Sequence, residues 1–354
     1  MSRTAHQRIS IRRSEQGAAL LTVLLLVAIL SVIAALMLER ASLATNLAIN
    51  SADRNVARWS GFGLEAISVQ RITALRQEGG RLPPISEGND ALSWDVPLDN
   101  SSGQSGAGRI TARDGGTCFN VNGLVSGQKG SFTVRPLGIE QFARLANILE
   151  IDQRQARSIG ESIADWIDSD QQPEPGGAED AFYLRQPEPH RTGGQLIHDV
   201  GELREVRGMT DDIFAVLQPW LCALPIAELS SYNINQMKPE DYPLLASLLF
   251  EDYPALQMES VLRRRPPLGF PSVIAFWQMV NQNQNSVDPQ VEGQAVINTR
   301  WYDMEMAVQV GNAVFTERAL VDSAPQPAQL VRRIWDASGA PQRERNPVNT
   351  QGQE

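Results

Sequence analysis

Between Asp165 and Asp180 the chain carries six carboxylates, Asp165, Asp168, Asp170, Glu174, Glu179 and Asp180, with no basic residue among them. Pro173, Pro175, Gly176 and Gly177 force a loop through the middle of the run. Carboxylates crowded in this way repel one another unless a cation neutralises them, and hard oxygen ligands at irregular spacing suit Ca²⁺. The run is not an EF-hand, because the D-x-[DN]-x-[DN]-G loop is missing. On composition alone a solvated acidic loop competes with a cation site and has the edge. Paired carboxylates can also act as general acid and base, but nothing around them builds an aromatic-lined cleft. G-x-S-x-G, H-E-x-x-H and a phosphate-binding glycine loop are all absent. No catalytic residue is assigned, and the chain does not read as an enzyme.

The elements that must hold these carboxylates are helical. Asp165 and Asp168 lie three apart at the end of a helix predicted over Asp152–Ile167, and so on one face. Apolar spacing of three and four also predicts helices over Ile139–Leu149, Val200–Val206, Thr210–Leu217, Pro239–Phe250, Ala255–Arg263 and Phe270–Val280. The piece Tyr232–Pro239, followed by Leu244, Leu245, Leu248 and Leu249, looks like the entry to a helix-hairpin-helix unit. Such units often bind DNA backbones, but a net charge of −10 and only two lysines, Lys129 and Lys238, favour a packing role.

Strand patterns flank this helical stretch. Leu92–Val96 alternates, Arg109–Ala112 leads into the Asp114-Gly115-Gly116 turn, and Cys118–Asn122 follows. Later, Tyr302–Val310 has a clear period of two, Gly311-Asn312 turns it into Ala313–Asp322, and Leu330–Trp335 reads as the last strand. A small sheet that stops and resumes implies an insertion, giving an α+β fold. The expected domains are residues 18–80 as anchor and stem helix, 81–135 with 291–340 as the sheet domain, and 136–290 as the inserted helical domain. A leader over 1–17 and a polar, disordered tail over 341–354 complete the division.

The N-terminus says where the chain resides. Ala18 to Leu38 is about 21 almost wholly apolar residues, interrupted only by Thr22 and Ser31, which at the helical rise spans roughly 30 Å. Arg3, Arg8, Arg12 and Arg13 precede it and by the positive-inside rule stay in the cytoplasm, so the bulk of the chain is exported. The apolar run is too long for a secretory signal, and Leu36-Met37-Leu38-Glu39 is a poor cleavage site. Two readings remain: a plain single-span anchor, or a leader cut after Gly17 that frees the amine of Ala18 at the membrane face. The order of basic residues, Glu15-Gln16-Gly17 and apolar helix resembles the class III leader of type IV pilins and secretion pseudopilins. Proline-free, helically spaced sequence continues to about Gln77, so one helix of roughly sixty residues leaves the membrane, far beyond ordinary globular length. Pilin-like subunits carry a carboxylate at the fifth mature position; counted from Ala18 that residue is Thr22. A subunit with none ahead of it has no amine to pair with, so Thr22 is read as a tip marker.

With 42% hydrophobic and 20% charged residues the chain can bury a sizeable core. Cys118 and Cys222 are the only cysteines. In an exported chain two cysteines favour a disulfide over free thiols. A two-cysteine metal site is the weaker reading, since none of His6, His190 and His198 completes a ligand set.

Taken together, several strings resemble the K-type minor pseudopilin of bacterial type II secretion. They are Asp165-Trp166-Ile167-Asp168-x-Asp170, Pro175–Asp180 with Tyr183, Glu202–Thr210, Cys118-Phe119-Asn120-x-Asn122 and the absent carboxylate at Thr22. The resemblance runs from Gly17 to about Val321. It implies a pseudopilin fold, a long N-terminal helix on a small antiparallel sheet with a large α-helical domain inserted. It implies structural Ca²⁺ held by ligands drawn from Asp165, Asp168, Asp170, Glu179 and Asp180, and a Cys118–Cys222 disulfide. The implied partners are minor pseudopilins of the I and J types, the major pseudopilin, the prepilin peptidase and the inner-membrane assembly platform. The implied function is capping and nucleating the pseudopilus that exports proteins across the outer membrane. The alternative is an uncleaved, single-span inner-membrane-anchored periplasmic protein that binds a metal or ligand.

Overall fold

A computed structural model describes residues 13–85, 90–99, 105–249, 254–280 and 289–335. Most of the expected leader, Phe250 at the end of one expected helix, and the tail 341–354 lie outside these residues. The first element, α1, runs from Arg13 to Gln77 as one helix. Its N-terminal apolar third is exposed throughout, with a mean hydropathy of 3.0 in its best window, long and apolar enough to cross a membrane. The two hydroxyls inside that third are satisfied within the helix: Thr22 donates to the Ala19 carbonyl at 2.9 Å and Ser31 to that of Val27 at 2.8 Å. Gly79 and Gly80, at φ of 110° and 65°, then end the helix, with the Gly80 N–H donating to the Leu75 carbonyl at 2.9 Å.

The distal part of α1 packs on a five-stranded antiparallel sheet. Its strands are β1 (Leu92–Asp99), β2 (Ser105–Asp114), β3 (Trp301–Val310), β4 (Ala313–Asp322) and β5 (Gln329–Trp335), in spatial order 1-2-3-4-5. Alternation sets the buried face: Tyr302, Met304, Met306, Val308 and Val310 all point inward from β3, against Leu64 and Ile72 of α1. The register places Asp114 of β2 opposite Tyr302 of β3. The chain therefore leaves the sheet at the end of β2 and re-enters beside that same residue.

The described residues between those two strands form a helical body with its own core, running from Phe119 to Ala295 and centred on Phe142, Ile163, Tyr183, Tyr232 and Phe276. Its principal helices are α2 (Pro136–Ile148) and α3 (Gln153–Ile167). The disulfide Cys118–Cys222 packs with Leu224, Trp301 and Leu320 where the body meets the sheet.

Several expectations shift in detail. Phe119, Val121, Leu124, Val125 and Phe132 share the core of the helical body, so the junction falls just after Asp114 rather than at 135. Cys118–Asn122 does not extend the main sheet; Phe119-Asn120 instead pairs in parallel with Leu221-Cys222. Val200–Glu205 is a 3₁₀ turn. The expected helix over Pro239–Phe250 is a 3₁₀ turn, Pro239–Asp241, followed by Tyr242–Ala246, because Pro243 at a helix start resets the hydrogen bonding. Val273–Val280 begins later than Phe270 because Pro271 disfavours helix at the residue before it.

Candidate metal centre

Helix α3 brings the first two carboxylates into place. Asp152 caps its N-terminus, accepting from the N–H groups of Arg154 and Gln155 at 3.1 Å each, and Asp168 closes its C-terminus. Ile159, Ile163 and Ile167 bury one face of α3 in the body's core, which fixes the rotation of Asp165 and Asp168 on the same helix. The loop that follows then folds back, and Glu179 arrives from its far side.

Asp165, Asp168 and Glu179 thus converge. One oxygen from each lies within 4.8 Å of the others, and the three residues are 1%, 3% and 3% exposed. Asp165 accepts from the Glu174 N–H at 3.2 Å to both of its oxygens. The Gly177 backbone lies so close to Asp165 that any side chain there would overlap the Asp165 carboxylate, which explains the glycine. By contrast Asp168 Oδ1 and both oxygens of Glu179 are buried with no hydrogen-bond partner. Buried acceptors without partners are costly.

Electrostatics agree with the geometry. Burial, with repulsion from Asp168 and Asp165 added, pushes the Glu179 carboxyl up to about 8, and burial with repulsion from Asp170 and Glu174 pushes Asp168 up to about 6. Burial likewise pushes Asp165 up to about 7, partly offset by the Glu174 N–H. Three buried carboxyls in this state either hold protons or take up a cation, and all three offer hard oxygen donors, which fits Ca²⁺. The residues present therefore fit the expected ion.

The other two expected ligands turn elsewhere. Asp170 is exposed and accepts from the Gln172 N–H at 2.7 Å. Asp180 accepts from Arg191 Nη1 at 2.6 Å and from the Thr192 N–H at 2.9 Å, and its carboxyl is held below the usual range by those bonds despite the opposing effect of burial. The remaining motif residues are joints. Asn120 and Asn122 are fully buried and bridge three segments: Asn120 donates to the carbonyls of Ile226 and Glu228, and Asn122 to those of Ile197 and Leu224. In Glu202–Thr210, the Glu202 carboxylate accepts from the N–H groups of His198 and Asp199, and Thr210 caps the helix Asp211–Leu217. Asp114 was missed as a joint residue; it accepts from the Thr117 hydroxyl at 3.1 Å where the chain leaves the sheet.

Comparison with known proteins places this architecture. Residues 117–226 match the family model described as type II secretion system (T2SS), protein K. A type II secretion system protein K of Pectobacterium carotovorum subsp. carotovorum is 31% identical over 92% of this chain and 97% of its own length. The chain belongs to the type II secretion system protein K family. The Klebsiella pneumoniae member is 28% identical over 91% of this chain and 96% of its own length. Among solved structures, the GspK-GspI-GspJ complex from enterotoxigenic Escherichia coli includes a chain that superposes with a TM-score of 0.61 at 22% identity, covering 79% of this chain and 95% of that one. The fold is therefore the pseudopilin fold with an inserted helical body, and the protein is a minor pseudopilin of type II secretion. The family is one of secretion pseudopilins, and the single N-terminal apolar helix fits a single-pass anchor.

Proposed function

We propose that this chain is the leading subunit of the pseudopilus. The prepilin peptidase cuts after Gly17 and the Ala18 amine is methylated. Residues 18–38 remain in the bacterial inner membrane with the bulk of the chain in the periplasm. There it joins the I- and J-type minor pseudopilins at the assembly platform, nucleates the filament on which the major pseudopilin stacks from below, and caps it. Extension of the filament then drives folded substrates through the outer-membrane channel.

The observation that carries this reading is the helical body set between β2 and β3, with a core larger than that of the sheet it hangs from. A subunit stacked above would meet it. Thr22 supports the same position, since its hydroxyl is satisfied by its own helix and seeks no partner in the membrane. The GspK chain of the solved complex assembles with GspI and GspJ, which supports partners of those types here. Within the body, Asp165, Asp168 and Glu179 hold a structural Ca²⁺ whose two positive charges offset most of the charge of the three carboxylates and pin the loop after α3.

The test is the intact mass of the membrane-bound protein with and without an active prepilin peptidase. A chain starting at N-methylated Ala18, and at Met1 when the peptidase is absent, is the expected result. Met1 in both strains would return the protein to the class of uncleaved, anchored periplasmic binding proteins.

A further inference from the structure

One side chain of the Glu202–Thr210 segment reaches back to the acidic loop. Leu203 and Val206 are buried, Met209 packs inward, and Gly208, at φ 86°, turns the chain against Ile159 of α3. Arg207 stands between these anchors with an exposed side chain. Its contacts all fall on the second half of the acidic loop and the turn after it. Its N–H donates to Tyr183 Oη at 3.1 Å, its Nη1 donates to the Gly177 carbonyl at 2.8 Å, and its guanidinium lies 5.0 Å over the Phe182 ring. Gly177 is the residue pressed against the Asp165 carboxylate, and Glu179 follows two residues later.

We propose that Arg207 is a positioning residue for the cation site: by holding the Gly177 carbonyl it sets Glu179 against Asp165 and Asp168 before an ion arrives. This rests on the assignment of those three carboxylates as ligands. Two effects of the side chain oppose each other. Its positive charge repels an incoming cation, but that charge is exposed to solvent and screened. Its hydrogen bond fixes the loop directly, and losing a bond made by a charged group weakens binding about ten-fold or more. Positioning therefore outweighs repulsion, and removing the guanidinium loosens Ca²⁺ rather than tightening it.

The experiment uses the full chain in detergent micelles. Ca²⁺ is titrated calorimetrically into the wild type, Arg207→Met and Arg207→Lys, and each is also melted in EGTA. The expected result is about ten-fold weaker binding by R207M, and partial recovery in R207K, whose ammonium can still reach the carbonyl. Should R207M also melt lower in EGTA, the luminescence lifetime of bound Tb³⁺, sensitised by Trp166, decides. A shorter lifetime reports water entering a loosened site and supports the role of Arg207; a wild-type lifetime overturns it. R207M binding Ca²⁺ as tightly as the wild type, or more tightly, overturns the role of Arg207 while leaving the cation site standing. A wild type that binds neither ion removes the site and this inference with it.

Discussion

Replacing Glu179 by Gln separates a cation site from a solvated acidic loop, because the two accounts predict different signs. Glu179 is 3% exposed, both its oxygens lack partners, and burial with repulsion from Asp168 and Asp165 pushes its carboxyl up to about 8. Without a cation, folding at neutral pH must protonate a carboxyl that is ionised in the unfolded chain, and that costs stability. In EGTA at neutral pH, Glu179→Gln is therefore expected to melt at or slightly above the wild type; the gain is small because the amide brings donors of its own that need partners. With Ca²⁺ at a hundred times its Kd, binding stabilises the wild type by about 2.7 kcal/mol. For a domain of about 150–250 residues each kcal/mol moves Tm by about 2–4 °C, so the wild type should gain roughly 5–10 °C. The variant should gain almost none of it, so the order of the two melts reverses between EGTA and Ca²⁺. Circular dichroism melts of the full chain in detergent read both arms. A wild type that melts alike in both buffers, or a variant that keeps the whole shift, would refute the reasoning.

Two further outcomes follow from the junction of body and sheet. Replacing Cys118 and Cys222 together by Ser releases a loop closed over a sequence separation of 104, for which chain entropy gives about 4–5 kcal/mol, read as a lower urea midpoint with a steeper slope because the freed unfolded chain exposes more surface; an unchanged midpoint would show that the bridge adds nothing the body's core does not already supply. Burial pushes the Asp114 carboxyl up to about 7 from 3.8, so the folded state holds that proton more tightly than the unfolded chain does. Its favourable contribution is full below about pH 4 and is lost as pH rises through 7, so Asp114→Asn should flatten the wild type's decline across that window. Parallel pH profiles of the two urea midpoints would count against it.

What was legible in the sequence is what depends on local pattern. The stem helix, the hairpin around Gly311-Asn312 and the last strand follow from periodicity and turn chemistry, and they appear almost where expected. The insertion was legible because a strand pattern stopped and resumed. Its edge was not, because Phe119–Phe132 reads equally well as sheet or as core, and only packing against Phe142 decides. Asp165 and Asp168 were legible as a pair from their spacing on one helix. Nothing local distinguished Glu179 from Asp170 or Asp180, since the competitors that occupy those two, the Gln172 N–H and the Arg191-Thr192 pair, come from folding of the loop itself. Arg207 lies within the Glu202–Thr210 motif, but its contact is to a carbonyl thirty residues earlier in the chain and leaves no trace in spacing.

The pairing of Asp114 with Tyr302 bears on the order in which the molecule can form. Strands β2 and β3 are neighbours in the sheet, yet the whole helical body separates them along the chain. If that body were still unfolded, joining the two strands would mean closing a very long flexible loop, and such non-local pairing is slow. Once the body has folded, its two ends emerge one strand spacing apart and the closure is already made. The body therefore acts as an internal template for the sheet, and the face on which α1 docks is completed only after the insertion has folded. A defect deep in the insertion, far from any filament contact, would on this account appear first as a failure of the stem to find its sheet.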